Sequence, residues 1–284
     1  MKQAVFLIQC QDRKGLLSEI TTFFYSQGFN ILHCQQYTDV FENKYFMRIK
    51  LDMSDAVMTK QKLEQDFNEF SVPYGLNWAA HYSDRVQKVA VLVSKTSHCL
   101  FDLLVHRSEG DLQCDIPLII SNHPDLEYVA DKFRVPFYCF PMDKENKAGQ
   151  EELVRDLLER HHIDLIVLAR YMQILSPDFV KRYHGRIINI HHAFLPGFKG
   201  GDPYRRAWER GVKMIGATAH YTTEDLDEGP IIEQDVERIT HEDDPSELKR
   251  IGKDIERRVL TRAVKAHLEH RIISSGCRTI VFSK

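Results

Sequence analysis

The stretch VAVLVS, residues 89–94, is a run of five apolar residues that ends at a serine. Continuous apolar runs of this length are typical of parallel strands that are buried on both faces of a sheet. Helical patterns alternate with further apolar runs after it, which predicts an open, mostly parallel sheet with helices on both faces. The predicted strands are IPLIISN (116–122), VPFYCF (135–140) and IDLIVLAR (163–170), and the predicted helices cover 98–110, 126–133 and 149–161. Such sheets bind ligands beyond the carboxyl ends of their strands.

The first 84 residues follow a different pattern. Their apolar spacing predicts strand, helix, hairpin, helix and strand, which is the ferredoxin-like βαββαβ order. The segments are AVFLIQC (4–10), LLSEITTFFYSQG (16–28), FNILHCQQYTDV (29–40), KYFMRIKLDM (44–53), a helix over about 54–69, and YGLNWAAHYS (74–83). We therefore predict an α/β protein with two domains, residues 1–84 and residues 85–284. The second has a Rossmann-like sheet and ends with a charged helix over about 245–270 and a strand at 278–283.

The composition excludes several classes of protein. A net charge of −3 without a basic tract argues against nucleic-acid binding. The amino-terminal apolar stretch has only about five residues, too few for a signal peptide, and no apolar run reaches the roughly 20 residues of a membrane span. The six cysteines have no CxxC or metal-ligand spacing. These features predict a cytoplasmic protein with reduced thiols and no metal site.

Two polar side chains interrupt the apolar pattern in NIHHAFLP, residues 189–196. Asn189 and His191 are two residues apart, so in a strand both project to the same face. They also stand at the end of that strand, where the ligand crevice of such a sheet opens. The pair therefore marks a candidate site. The alternative is that both side chains satisfy backbone groups near a loop.

A second segment, HYTTEDLDEGPII (220–232), places Asp227 about 40 residues after Asn189. Together the two segments resemble the paired signatures of the formyltetrahydrofolate-dependent formyltransferase fold, and the resemblance covers about residues 86–275. It implies that Asn189, His191 and Asp227 act on a formyl group. We expect His192 and His220 to have supporting or structural roles.

These residue types suit the chemistry that the resemblance implies. A formamide carbonyl under attack develops an oxyanion, which the amide of Asn189 and a protonated His191 can stabilise. The leaving nitrogen needs a proton, which an imidazole can deliver near neutral pH. Asp227 can orient the imidazole, raise its pKa and take a proton from the nucleophile. This chemistry requires neither a metal nor a cofactor.

A third segment, LARYMQILSPDFV (168–180), lies where that family holds the pterin-like ring of the folate. The resemblance implies that five of its residues line the folate pocket: Arg170, Met172, Gln173, Ile174 and Leu175. The alternative is an ordinary connection between a strand and a helix, with the methionine and leucine in the core.

The segment after the first strand of the second domain indicates which molecule accepts the formyl group. Glycinamide ribonucleotide formyltransferases carry a glycine-rich loop there to hold a phosphate, whereas this chain has no glycine between Val89 and His106. The pattern SxxxHCL, from Ser94 to Leu100, instead resembles formyltetrahydrofolate deformylases. That resemblance implies hydrolysis of 10-formyltetrahydrofolate to tetrahydrofolate and formate. Formyl transfer to an amine is the alternative, and a non-catalytic folate-binding or amino-acid-sensing regulator is a third possibility.

The amino-terminal segment CQDRKGLLSEI (10–20) resembles the start of an ACT domain. In that family the turn after the first strand contacts an effector, often an amino acid, and the domains commonly pair through their sheets. The resemblance therefore implies an effector site at Asp12, Gly15 and Leu16, and a homo-oligomer, either a dimer or a tetramer. The alternative for Gly15 is that it only starts the helix.

Overall fold

The computed structural model describes residues 2–55, 58–143, 145–197 and 203–283. The chain divides into two compact units. The first comprises residues 1–86, 269–275 and 280–284, and the second comprises residues 87–268 and 276–279. The prediction had assigned everything after residue 84 to the second domain. It did not anticipate that most of the carboxyl-terminal residues group with the first unit.

The first unit contains a four-stranded antiparallel sheet in the order β2-β3-β1-β4. The order of its elements confirms the predicted βαββαβ arrangement. The elements are β1 (Gln3–Gln11), α1 (Leu16–Ser26), β2 (Asn30–Asp39), β3 (Lys44–Asp52), α2 (Lys60–Ser71) and β4 (Asn77–Tyr82). Helix α2 begins later than predicted because the Thr59 side chain accepts a hydrogen bond from the Lys62 amide and caps the helix there. Residues 56 and 57 of the predicted helix lie outside the described residues.

The core of the first unit is built from aromatic rings. Phe6 on β1 packs edge-on against Phe24 and Phe67, with ring centroids 5.0 and 5.1 Å apart. Trp78 on β4 stacks on Phe6 at 5.8 Å. Edge-to-face pairs of this kind add to the free energy gained by burying the rings, so helices α1 and α2 are fixed on one face of the sheet.

The carboxyl-terminal residues of the first unit pack near β3. Phe46, Ile273 and Phe282 form a small buried apolar cluster. The guanidinium of Arg48 donates hydrogen bonds to the carbonyl oxygens of Glu269 (3.1 Å) and His270 (2.8 Å). These contacts connect residues more than 200 positions apart, and they are the physical reason why the predicted domain division was incomplete.

The second unit contains a seven-stranded sheet in the order β11-β10-β9-β8-β5-β6-β7. Strands β5 to β9 are parallel, while β10 and β11 are antiparallel at one edge. This confirms the predicted mostly parallel α/β sheet. Its elements are β5 (Gln87–Val93), α3 (His98–Ser108), β6 (Cys114–Ser121), α4 (Glu127–Phe133), β7 (Phe137–Cys139), α5 (Lys147–Arg160), β8 (Leu165–Leu168), α6 (Pro177–Arg182), β9 (Ile187–His191), α7 (Pro203–Glu209), β10 (Met214–Tyr221), β11 (Ile231–Arg238) and α8 (Pro245–Leu268), and the chain ends with the two-stranded pair β12 (Ile272–Ser275) and β13 (Arg278–Val281).

The first parallel strand occupies the middle of this sheet, as its apolar run indicates. All five residues from Val89 to Val93 are at most 1% exposed. The chain passes from β5 to β6 and β7 on one side and then returns to β8 and β9 on the other. The carboxyl ends of β5 and β8 therefore form the switch point where sheets of this kind open a ligand crevice. Among the described residues, no helix combines the length and the apolar character that crossing a membrane requires.

Candidate active site

Strand β9 ends at His191, and its imidazole meets the carboxylate of Asp227. The His191 Nδ1 atom lies 3.2 Å from Asp227 Oδ1, and both side chains are largely buried. Because a carboxylate accepts the hydrogen bond, Nδ1 carries the proton. The Nε2 atom of His191 is buried and has no hydrogen-bond partner within the described parts of the chain. The ring is thus oriented on one side and free for chemistry on the other.

Asn189 and His220 form a second contact across the join between β9 and β10. These two residues are paired in the strand register, and Asn189 Nδ2 lies 3.2 Å from His220 Nε2. His220 Nδ1 donates to the carbonyl oxygen of Tyr221 at 3.0 Å. In a neutral imidazole this leaves Nε2 as the acceptor, so the Asn189 amide donates to it. One N–H of that amide remains for a ligand.

His220 connects the candidate residues Asn189 and Asp227, and Asp227 in turn contacts His191. Its Nε2 atom is 3.6 Å from Asp227 Oδ1, and its side chain is almost fully buried. The sequence analysis gave His220 only a supporting role. The structure brings it against both Asn189 and Asp227, so it holds the amide in position beside the carboxylate.

The loop after β10 delivers Asp227 to this position. Asp227 has a left-handed backbone (φ 59°), a conformation that aspartate tolerates better than most residues. Two residues later, a side chain on Gly229 would overlap the carbonyl oxygen of Tyr221. The Tyr221 amide in turn donates to the carbonyl oxygen of Pro230 at 2.9 Å. The sequence Glu228-Gly229-Pro230 therefore allows the loop to fold tightly back over the end of β10.

Asp227 is ionised in this environment. The hydrogen bond from His191 is the largest influence that holds the pKa of its carboxyl group well below the usual range, and it outweighs the opposite effect of burial. A fixed negative charge therefore lies beside His191 at neutral pH. Such a charge keeps the Nδ1–H group of His191 directed at the carboxylate.

The segment that follows β9 is fixed by Thr218 on β10. The Thr218 hydroxyl donates to the Ala193 carbonyl (2.9 Å) and accepts from the Leu195 amide (3.0 Å). Gln234 on β11 donates to the same hydroxyl at 2.9 Å and to the Leu195 carbonyl at 3.1 Å. The strand end and its loop are thus held as one piece as far as Gly197; residues 198–202 lie outside the described residues.

The predicted folate-pocket segment forms a loop that is anchored at both ends. The Met172 amide donates to the Ser94 hydroxyl (2.9 Å), and the Ser176 amide donates to the buried carboxylate of Glu151 (3.1 Å). Between these anchors, Met172 and Ile174 are 61% and 62% exposed, while Gln173 and Leu175 are half-buried. Apolar side chains held outward on a fixed loop are available to a ligand, and the folate pocket stays a prediction.

Arg170 points in another direction. Its Nε atom lies 3.4 Å from Oε2 of Glu256, and only 15% of its side chain is exposed. Glu256, on α8, is itself 1% exposed and also contacts His98 Nε2 (2.8 Å) and the Tyr204 hydroxyl (2.5 Å). We call Arg170, Glu256, His98 and Tyr204 the crevice cluster. The sequence analysis did not identify Glu256 or Tyr204, because nothing in the local pattern distinguishes a buried glutamate in a charged helix.

Within the crevice cluster, the negative charge of Glu256 is balanced by its partners. Burial alone would raise the pKa of Glu256, but the hydrogen bond from His98, the charges of Arg170 and His98, and the hydrogen bond from Tyr204 together lower it. Gly252, one helical turn before Glu256, makes the contact with Tyr204 possible, because a side chain there would overlap the tyrosine ring. The glutamate is therefore a buried carboxylate with three partners.

A cation would find an unsuitable environment in this cluster. Ligand atoms of His98, Cys99 and Glu256 lie within 4.8 Å of one another, which is a geometry that could suit a metal. However, the Arg170 guanidinium already contacts the same carboxylate, and burial raises the pKa of the Cys99 thiol well above its usual value. The absence of a metal stays a prediction from the sequence.

The predicted effector turn lies between β1 and α1. The Asp12 amide donates to the Asn43 carbonyl at 2.9 Å. Gly15 has a left-handed backbone (φ 93°) and open space around it. Leu16 is only 2% exposed and belongs to the core of the first unit. A ligand at this turn could therefore reach Asp12 and Gly15, but not the leucine side chain that the prediction included.

His192 gives this region a measurable pH dependence. Burial, followed by the charge of Arg170, lowers the pKa of His192 to about 4, compared with about 6.5 in an unfolded chain. Between these values the unfolded chain binds more protons, so the free energy of unfolding should fall as pH falls from about 6.5 to about 4. At about 1.4 kcal/mol per pKa unit, the contribution of His192 is roughly 3 kcal/mol.

We expect His192→Asn to remove that part of the pH dependence in urea unfolding measured between pH 4 and 7. His184→Asn changes an exposed histidine and is the matched control. Its pH dependence should follow the wild type. An equal slope in the wild type and in His192→Asn would contradict the assignment.

The chain is similar to known proteins over its whole length. A family model described as formyl transferase matches residues 87–264, and one described as ACT domain matches residues 4–61. A formyltetrahydrofolate deformylase of Synechocystis is 47% identical over 280 residues, covering 99% of this chain and 98% of that protein. Another, from Bacillus subtilis, is 45% identical over 278 residues, covering 98% and 93%.

Solved structures give the same result. A formyltetrahydrofolate deformylase from Pseudomonas syringae superposes with a TM-score of 0.97 at 38% identity, covering 100% of this chain and 95% of that one. A glycinamide ribonucleotide transformylase from Symbiobacterium toebii has a TM-score of 0.66 at 28% identity and covers only 72% of this chain. Matches of this extent to both units establish that the chain belongs to the formyltetrahydrofolate deformylase family.

Proposed function

We propose that this chain hydrolyses 10-formyltetrahydrofolate to tetrahydrofolate and formate. The observation that carries the proposal is the buried set of Asn189, His191 and Asp227, with the Nε2 atom of His191 left without a partner. Relatives that match over nearly their whole length are formyltetrahydrofolate deformylases, which supports the same substrate. A binding protein would have no need of an imidazole that a carboxylate orients so that its other nitrogen is left without a partner.

In the proposed reaction, a water molecule attacks the formyl carbon and its proton passes to Asp227. The carbonyl oxygen becomes an oxyanion and is stabilised by the free N–H of the Asn189 amide and by Nε2–H of protonated His191. The C–N bond then breaks while His191 transfers its proton to the folate nitrogen. The products are tetrahydrofolate and formic acid, which ionises to formate. The chemistry uses only these side chains and water.

The folate is proposed to bind along the anchored loop after β8. Met172 and Ile174 offer apolar surface, while Gln173 and Leu175 are half-buried beside them. The backbone groups of this loop can hydrogen-bond the pterin-like ring. Arg170 stands at the base of the loop and contributes to the shape of the site through Glu256, since its guanidinium is turned inward.

Replacing the proposed catalytic groups should abolish most of the activity. His191→Ala or Asp227→Asn should lower kcat by about 10²–10⁴, the range for a general acid–base group. His241→Ala, which removes an exposed histidine, is the control and should keep wild-type kcat. The measurement is the steady-state release of tetrahydrofolate and formate. Wild-type kcat in a folded His191→Ala or Asp227→Asn variant would contradict the assignment.

We further propose that the first unit binds an amino-acid effector at the turn containing Asp12 and Gly15. The match of residues 4–61 to the ACT family supports a small-molecule ligand. The open space around Gly15 allows a ligand to approach the backbone closely. An effector that binds two states with different affinity would change activity through a coupling free energy of about 1–3 kcal/mol.

A one-carbon-linked amino acid, glycine or methionine, should therefore change wild-type activity by about 5–150-fold. Gly15→Asn should remove this response by placing a side chain in the turn. Gly28→Asn is the matched control, because Gly28 (φ 82°) is also left-handed and open, and asparagine tolerates that conformation. A normal response in Gly15→Asn, or no response of the wild type to any amino acid, would refute the effector site.

The predicted homo-oligomer, a dimer or a tetramer, stays a prediction, as does the cytoplasmic location. Strand β2 is an edge of the first sheet, and it carries the exposed side chains of Leu32 and Tyr37. An unpaired edge of this kind can pair with a second copy of the chain.

A further inference from the structure

The crevice at the switch point of the large sheet should be the place where a second reactant enters. Sheets of this type bind ligands beyond the carboxyl ends of the strands at which the chain reverses its direction. In this chain those strands are β5 and β8. The segment after β5 leads into α3 at His98, and the segment after β8 begins with Arg170. A formyl acceptor larger than water would have to occupy the space between them.

That space holds the crevice cluster. His98 comes from the start of α3, Arg170 from the end of β8, Tyr204 from α7 and Glu256 from α8. The contacts of Glu256 with the other three are between 2.5 and 3.4 Å long. Four elements therefore converge on one buried carboxylate. Removing any one partner would leave buried charge or an unmatched donor, which makes the arrangement costly to open.

Arg170 is held in a strained backbone conformation. Its φ of 65° lies in the left-handed region, which is strained for a residue with a side chain. Its Nη1 atom is buried and finds no hydrogen-bond partner in the described part of the chain. Glycine would occupy this position without strain. Strain of this kind at a site suggests that the side chain has a function.

The crevice cluster is adjacent to the reacting groups. The ring of His192 is near both, with its centroid 5.2 Å from that of His191 and 6.3 Å from that of Tyr204. One imidazole therefore neighbours both the acid–base pair and the cluster. An amine entering by the crevice would meet the guanidinium of Arg170 and the phenol of Tyr204 before it reached the formyl group.

We propose that Arg170, fixed by Glu256, His98 and Tyr204, closes the crevice to amines and so leaves water as the only formyl acceptor. This inference rests on the proposed hydrolysis and assigns its specificity to named residues. Water is small enough to reach the formyl carbon without displacing the cluster. An amine would have to displace a buried charged side chain from a paired carboxylate, and no new partner would compensate for that loss.

Arg170→Gly is the direct test, because it empties the crevice and relieves the backbone strain at the same position. Purified full-length protein is given 10-formyltetrahydrofolate and increasing glycinamide, and both formate and N-formylglycinamide are measured against an enzyme-free blank. In the wild type, N-formylglycinamide should stay close to the enzyme-free blank, so that nearly all formyl groups appear as formate. In Arg170→Gly, the share of formyl groups that reach the amine should exceed the wild-type share by about tenfold or more, a change within the range for altering a pocket by one small group.

Two controls separate the crevice from general damage. Arg170→Lys keeps the positive charge and most of the bulk, so it should release only formate. Thr261→Val removes a hydrogen bond from Thr261 to Asp102 between the same two helices, α8 and α3, at 2.6 Å, while leaving the crevice cluster intact. It too should release only formate. His98→Ala empties the crevice from the side of α3 and should transfer formyl groups to the amine as Arg170→Gly does.

The outcomes distinguish this inference from the function on which it rests. No formate from the wild type would refute the proposed hydrolysis. Formate from the wild type, with no N-formylglycinamide from either Arg170→Gly or His98→Ala, would overturn the assignment of specificity to the crevice cluster. Equal transfer by Arg170→Lys and Arg170→Gly would also overturn it.

Discussion

The candidate site depends on the carboxylate of Asp227 accepting a hydrogen bond from Nδ1 of His191. This contact, 3.2 Å long and largely buried, fixes both the orientation and the tautomer of the imidazole. His220 lies 3.6 Å from the same oxygen and receives the amide of Asn189. The antiparallel pairing of β9 with β10 therefore determines where the amide lies, and the tight return of the loop at Gly229 determines where the carboxylate lies.

The same edge of the sheet carries a second buried carboxylate with a different use. Asp227 contacts Nδ1 of His191, and Nε2 of that ring is buried without a partner in the described part of the chain, whereas Glu256 is engaged by His98, Arg170 and Tyr204. In the proposed account, the first arrangement provides an atom for proton transfer, and the second fills the crevice between β5 and β8. On the same account, this fold serves either hydrolysis or transfer, depending on whether that crevice holds side chains or a second reactant.

Much of the fold could be predicted because its signals are local. The apolar run at Val89–Val93 and the two-residue spacing of Asn189 and His191 report strand burial and a shared face directly. The crevice cluster could not be predicted, since Glu256 meets His98 across 158 positions of the chain and nothing near it in the sequence marks the contact. The grouping of Phe282 with Phe46 was missed for the same reason. Leu16 was included in the effector site because the turn before it resembles that of ACT domains. The helical spacing of the apolar residues, which buries Leu16, was not weighed against that role.

The most direct test of the central claim is the tautomer of His191, which nitrogen NMR of histidine-labelled protein measures above the pH at which the ring loses its charge. With Asp227 as the acceptor, the neutral ring should carry its proton on Nδ1 and leave Nε2 unprotonated. Asp227→Asn should disturb this preference, because the amide can offer a donor in place of the carboxylate. A wild-type His191 that carries its proton on Nε2, or a tautomer that Asp227→Asn leaves unchanged, would contradict the account of the site.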